Sequence, residues 1–326
     1  MIAVVYLIVF LFGIVFGSFL NVCIYRIPKK ENIVSERSHC MECGHELAWY
    51  DLFPLFSYIF LKGRCRYCGA KISPQYPIIE ALNGIMWCLT FFIVGWEWEA
   101  VFICLVIPAL IVITVIDWRT YEIPFGANVY IFVVGVLHLA YVLYFGLSSA
   151  TGERVITDTV EMISEDGTGT YKIELVRRFV AGIAHGPWYE YVIGFFAVSV
   201  PLLGIYYFSK GRGIGGGDVK LMAAAGLVLG WKLALLALIA GCLYGSVIHI
   251  IRMKTQGEGS VLAMGPYLSA GILTAIWAGG PILEWYAGFF WKTRGRFFCL
   301  RMEKGGGTDK CQLQKQCMSY TLSARI

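Results

Sequence analysis

Charge is scarce in this chain. Only 15% of its 326 residues are Asp, Glu, Lys or Arg, against roughly 25% in soluble domains, while 58% are hydrophobic and the mean hydropathy is +0.66. A water-soluble fold of this length has no use for so much apolar side chain, so the surplus faces lipid. Histidine is scarcer still. There are five, none in a GxSxG or HExxH context, which argues against the familiar serine-hydrolase and metalloprotease arrangements. His138 and His249 fall in apolar runs and read as core or interface residues. The basic residues form no continuous patch but sit in loops between apolar runs, so nucleic acid is not an expected partner. The first 22 residues are mostly apolar, with no preceding basic residue and no A-x-A-like cleavage site. They read as a retained membrane helix rather than a removed signal peptide. No internal repeat is found. The eleven cysteines lack the even, dense pattern of a small secreted disulfide scaffold.

What the chain does have is long apolar runs. A helix needs about 20 apolar residues to cross the hydrocarbon core. The expected fold is an all-α polytopic membrane protein of about eight transmembrane helices, at roughly 3–25, 77–95, 100–117, 124–146, 189–209, 219–231, 232–251 and 261–279. The pair at 219–251 is ambiguous, because Gly230-Trp231-Lys232 fits either a tight turn between two short spans or a wet kink in one helix. Residues 26–76 carry eight Lys/Arg and five Asp/Glu; 148–188 carry four and six; the tail from 292 carries eight and two. Positive loops stay in the cytoplasm. That places 26–76 and 210–220 inside and the acidic 148–188 segment outside. Counting spans brings Asp117 and Asp218 to the same, cytoplasmic side. The basic tail breaks the pattern, unless the span count near 219–251 differs or 281–291 dips into the membrane. The domain reading is a first transmembrane helix over 1–25, a cytoplasmic cysteine loop over 26–76, a membrane-embedded core over 77–291 with an extra polar loop at 148–188, and a basic tail over 292–326.

Four cysteines stand apart. Cys40-Met-Glu-Cys43 and Cys65-Arg-Tyr-Cys68 are paired CxxC knuckles, each followed by a glycine that lets the backbone turn around the thiolates. Four thiolates at this spacing suit tetrahedral Zn²⁺, and a reducing cytoplasm favours metal over disulfides. Arg64 and Arg66 would offset their charge; His39 and His45 are possible substitute ligands. Among the few acids near membrane, Asp117 ends a span in Ile-Asp-Trp-Arg, where the bland alternative is an interfacial residue paired with Arg119. Asp218 follows Gly215, Gly216 and Gly217, which remove side chains just before the carboxylate and leave room for an extended substrate backbone. Lys220 belongs with them as a residue shaping the site. The bland alternative for Asp218 is a helix cap. A phosphate loop is a poor competitor, since GxxxxGK[ST] is absent and the carboxylate would repel phosphate. Two carboxylates brought together share a proton, so one can deprotonate water while the other polarises a carbonyl.

At this point a family resemblance enters. Gly17-Ser-Phe-Leu-Asn-Val-Cys-Ile-Tyr-Arg-Ile-Pro28 resembles the N-terminal signature of bacterial type IV prepilin peptidases. The CxxC pairs with Ile72-Ser-Pro-Gln-Tyr-Pro-Ile-Ile-Glu80 resemble their zinc loop. Asp117-Trp-Arg-Thr-Tyr-Glu-Ile-Pro124 and Gly215-Gly-Gly-Asp-Val-Lys-Leu221 resemble their two aspartate motifs, and Met264-Gly-Pro-Tyr-Leu268 a late helix motif. The resemblance implies a membrane aspartyl endopeptidase of the inner membrane that cuts leaders from type IV prepilins or pseudopilins at the cytoplasmic face, with Asp117 and Asp218 as the catalytic pair. It also implies methylation of the new N-terminus with S-adenosylmethionine. Asn21, Arg26 and Glu80 fall in matching motifs as contributors to structure or to the second site.

Two features depart from the family pattern: the 148–188 segment, with Glu165-Asp-Gly-Thr-Gly-Thr170 reading as a turn between short strands, and the cysteine-bearing tail. The competing readings are a methyltransferase without protease activity, a non-enzymatic zinc-bearing membrane scaffold, and a presenilin-like intramembrane protease. The last shares the GxGD logic but lacks the cysteine loop and the N-terminal signature.

Overall fold

The computed structural model describes residues 2–33, 37–148, 157–163, 170–176, 187–211, 213–256 and 262–291. In chain order the elements are α1 (Ile2–Lys29), α2 (Phe56–Phe60), α3 (Gln75–Val94), α4 (Trp98–Thr120), α5 (Phe125–Ser148), β1 (Thr157–Ile163), β2 (Thr170–Val176), α6 (Trp188–Phe208), α7 (Gly216–Leu229), α8 (Trp231–Gln256) and α9 (Gly265–Trp291). Two compact units result. One comprises Met1–Ser148 and Val180–Pro281, the other Ser149–Phe179 and Ile282–Ile326. Seven of the described helices are long and apolar enough to cross a bilayer. The eighth apolar helix, α7, has 14 residues, about 21 Å at 1.5 Å per residue, too short for a core of about 30 Å.

The short α7 is tolerated because protein, not lipid, surrounds it. Every residue from Leu221 to Leu229 is buried, and α5, α6 and α8 pack around it. Its end is set by Gly230, whose φ of +76° turns the chain into α8. The turn reading of Gly230-Trp231-Lys232 is therefore the one realised, although α8 is a long helix of 26 residues. The other largely buried helix is α4, apolar on all sides as a helix packed among others can be. Ile103, Ile107, Leu110 and Ile113 are almost wholly shielded, and α1, α3 and α5 pack against it. The remaining helices carry the lipid-facing surface, with Phe12, Phe92, Phe196 and Leu243 exposed.

Small residues let the helices close up, since lipid offers no hydrophobic drive for helix association and close van der Waals packing must replace it. Helices α6 and α7 cross closely. A Cβ at Gly194 would lie 2.3 Å from the carbonyl oxygen of Gly226, and one at Gly226 2.2 Å from that of Gly194. Helices α1 and α3 run antiparallel in a fixed register. Gly13 meets Gly84, Gly17 meets Glu80, and Asn21 Nδ2 donates to the carbonyls of Gly17 and Tyr76.

In the second unit β1 and β2 form an antiparallel hairpin, with Thr157 opposite Val176 and Ile163 opposite Thr170. The two short strands expected around 165–170 are present; the turn itself and the tail from 292 lie outside the described residues. Residues 281–291, treated in the sequence as a separate segment, continue α9 as one helix.

Gly194→Ala is expected to destabilise the fold by about 1–3 kcal/mol through overpacking, read as earlier thermal unfolding in detergent. Gly204→Ala, on the same helix with nothing within 4 Å of the added Cβ, should leave the transition unchanged or raise it slightly.

Candidate functional site

The two carboxylates occupy opposite ends of the two largely buried helices. Asp117 lies in the last turn of α4 and Asp218 in the first turn of α7. Both are buried, at 3% and 8% exposure. Each is held by a backbone N–H from a helix start. Gly265 N, at the beginning of α9, donates to Asp117 Oδ2 at 2.8 Å. Gly215 N donates to Asp218 Oδ2 at 3.1 Å. Free N–H groups and the positive end of the helix dipole make such positions natural partners for a carboxylate. The segment that leaves α4 reaches the start of α7, since a Cβ at Gly217 would lie 2.9 Å from Ile123. Helix α5 joins the pair by packing on both α4 and α7, and its buried Asn128 donates from Nδ2 to the carbonyl of Gly217 at 3.3 Å.

The bland alternatives divide. Asp117 is not paired with Arg119, which instead donates from Nη2 to Gln75 Oε1 and lies over the Tyr25 ring, 5.3 Å from its centroid. Asp218 does serve its own helix start through Gly215 N, so the capping role is real and coexists with burial beside Asp117. The three glycines are not equivalent. A Cβ at Gly217 would press on Ile123 at 2.9 Å and one at Gly215 on Asp218 Oδ2 at 3.0 Å, whereas Gly216 has room, its nearest neighbour being the Tyr206 ring at 3.7 Å. Of the three, Gly216 alone has room for a side chain. Lys220 is exposed and sits over the Phe125 ring, 5.0 Å from its centroid, at the rim of the site. Sequence reasoning gave Gly265 only as part of the late helix motif, without a role, and missed Asn128. The available signal for Gly265 was Gly-Pro opening a helix, which marks a bare N-terminus whose N–H groups need a partner.

The cysteine loop folds as two matching knuckles. Cys40 N donates to His45 O and Gly44 N to Cys40 O; Cys65 N donates to Ala70 O and Gly69 N to Cys65 O. Gly44 and Gly69 take φ of +69° and +74°, the left-handed conformation that glycine adopts without strain. The four sulfurs lie within 4.8 Å of one another, with Cys40 and Cys68 at 3.9 Å. Four thiolates about 2.3 Å from one Zn²⁺ would stand roughly 3.8 Å apart, so the cluster fits a single tetrahedral ion. His39 and His45 are not part of it; the His45 ring packs on Tyr67, 3.7 Å between centroids.

Arg66 pairs with an acid of the same loop. Its Nε donates to Asp51 Oδ1 at 2.7 Å, while Tyr67 Oη and Ala48 N donate to Oδ2. Burial opposes ionisation of Asp51, but the hydrogen bonds from Arg66, Tyr67 and Ala48 outweigh it and hold the carboxyl below its usual range. The clamp ties the segment after the first knuckle to the second.

Known proteins give the class of this molecule. The bacterial peptidase A24 N-terminal domain model matches residues 11–94, and the type IV leader peptidase family model matches 173–250. The first interval contains the four cysteines, the second Asp218, and Asp117 lies between them. With seven helices of membrane-spanning length, the chain is a multi-pass membrane peptidase. The prepilin leader peptidase/N-methyltransferase of Klebsiella pneumoniae is 30% identical over 233 residues, 68% of this chain and 84% of that one. The protein of that name from Myxococcus xanthus is 31% identical over 251 residues, 76% of this chain and 63% of its own length. That from Aeromonas salmonicida (strain A449) is 27% identical over 310 residues, covering 85% and 92%. The chain belongs to the type IV leader peptidase family. No solved structure matches it significantly.

About one metal ion per chain is expected in the purified protein, and Cys65→Ser should reduce it well below one, read by elemental analysis. The N–H groups of Cys43 and Glu42 pull the Cys40 thiol down from 9.0 to about 7. Its thiolate is therefore favoured in the folded loop above about pH 7 and lost as pH falls through that value. Metal uptake by the stripped protein should weaken correspondingly below pH 7.

Proposed function

We propose that this protein removes the leader peptide from type IV prepilins or pseudopilins, with Asp117 and Asp218 as the catalytic pair. The observation that carries the reading is the burial of both carboxylates at neighbouring helix ends, each held by one backbone N–H. A carboxylate so placed has an oxygen fixed by the amide and a second oxygen for chemistry.

Two such groups in one desolvated site share a proton. The ionised one takes a proton from water, whose oxygen forms the bond to the scissile carbonyl carbon. The protonated one donates to the carbonyl oxygen as charge develops there, and a proton passes to the amine as the C–N bond breaks. Gly216 lets the substrate backbone approach, and the close packing at Gly217 and Gly265 keeps the acids in place. Lys220, at the rim, shapes the entrance.

The loop over 26–76 is positive, which favours a cytoplasmic position for it and, by span count, for both aspartates. In a bacterium this is the inner membrane, with the substrate's basic leader on the same side and its apolar segment in lipid. The 148–188 segment would then lie outside. Zn²⁺ is the metal best suited to the four thiolates, in a structural role. Methylation of the new N-terminus with S-adenosylmethionine belongs to this reading through the family. The apolar groove along α6 at Val192, Phe196 and Pro201 offers no donors for an adenosine or an amino acid, so it does not fit that cofactor. No residues of this chain are assigned to it.

A prepilin incubated with membranes containing the wild type should lose its leader, read by mass spectrometry. Asp117→Asn and Asp218→Asn should each slow cleavage by at least about 10²–10⁴-fold, the range for loss of a general acid or base, while the protein still inserts. Near-normal turnover in either variant would remove that residue from the mechanism. A cysteine placed within 148–188 should react with an impermeant thiol reagent added outside; labelling only after permeabilisation would invert the orientation.

A further inference from the structure

The cysteine loop leaves an apolar group exposed that neither the metal cluster nor the carboxylate pair uses. It centres on α2, whose sequence Phe-Ser-Tyr-Ile-Phe is apolar apart from Ser57 and the Tyr58 hydroxyl. Ile59 and Phe60 are 67% and 82% exposed, and Phe53 and Phe56 are exposed beside them. In water such a group would be a liability.

Its depth explains it. Leu55 N, just before α2, donates to Glu80 Oε2 at 2.8 Å. Glu80 lies five residues inside α3, about 7 Å below that helix's start. At 20 residues, all of α3 is needed to span a core of about 30 Å. The register with α1 agrees, because Glu80 meets Gly17, near the inner end of the first 20 apolar residues of that helix. The chain at Leu55 therefore descends from the loop to the boundary between headgroups and acyl chains.

Backbone at such depth is tolerated only where its polar groups are satisfied. The buried Glu80 carboxylate does this for Leu55 N–H. Leu55 itself has φ +58°, a conformation that a leucine adopts only when its surroundings impose it. The segment is also fixed to the second knuckle, since Gly63 N donates to Tyr58 O and Ile72 N to Gly63 O. Lys62, Arg64 and Lys71 follow it and are exposed.

We propose that residues 53–60 are a re-entrant interfacial anchor that seats the cysteine loop on the bilayer. Phe53, Phe56, Ile59 and Phe60 lie among the acyl chains, and Lys62, Arg64 and Lys71 meet anionic headgroups. The arrangement joins aromatic and aliphatic side chains at interface depth to cations just above, the pattern by which surface segments hold anionic membranes. The metal-bearing knuckle is thereby held at a fixed height above the helix ends. This anchor does not depend on which carboxylates carry the reaction.

The test replaces Phe60, or separately Ile59, with photoreactive p-benzoylphenylalanine in the full chain. Met41, exposed at the first knuckle, serves as the control position. The protein is irradiated in phosphatidylethanolamine–phosphatidylglycerol vesicles, without and then with a prepilin, and adducts are read by mass spectrometry. Phospholipid attached at 59 and 60 several-fold more than at 41, in both conditions, is the expected result. Equal lipid labelling at all three positions would overturn the anchor. So would attachment to a second copy of the enzyme, or to the prepilin's apolar segment in place of lipid, since the face would then be a protein-docking surface.

Discussion

A carboxylate inside a lipid-embedded bundle must find a donor or lose several kcal/mol of hydration without return. Asp117 and Asp218 are two such groups, and much of the architecture follows from housing them. The donors are backbone N–H groups at the starts of α7 and α9, the places where a helix leaves its own hydrogen bonds unmade. Asp117 takes the amide of Gly265 across 148 residues of sequence, whereas Asp218 takes that of Gly215 in its own turn. Helix α7 is then obliged to begin inside the bundle, which is why it is short, enclosed and bare of large side chains at its entrance.

Close packing follows from the same demand. A helix too short to cross the bilayer must be wrapped by others, and α6 can approach α7 only where Gly194 faces Gly226. Gly217 admits Ile123 and Gly265 admits Asp117. These glycines serve proximity between backbones and side chains. The freedom to take positive φ matters elsewhere, at Gly44 and Gly69 in the knuckles and at Gly230 after α7.

The cysteine loop repeats the theme on a smaller scale. It has little apolar core of its own, and its order comes from thiolate geometry, the Asp51 clamp and Glu80. Glu80 is buried without a cation beside it among the described hydrogen bonds, and it accepts the amide of Leu55. A residue that sequence reasoning could leave only as a contributor to structure or to a second site is thus a tie between a membrane helix and the loop above it.

The sequence by itself determined the class and the run of apolar helices, and it singled out the four thiols and two acids. These depend on composition and short-range spacing, which survive without knowledge of the fold: apolar runs of bilayer length, CxxC-Gly knuckles, and carboxylates rare enough in apolar surroundings to stand out. It also marked the strands flanking 165–170. Only the tertiary structure decided that Arg119 turns to Gln75 and Tyr25, that Arg66 clamps Asp51, that Gly216 alone of the three glycines has room, and that Gly265 and Asn128 support the site. Each of those facts depends on which helix ends meet. That is set by packing among distant segments, for which a single sequence carries no local signal.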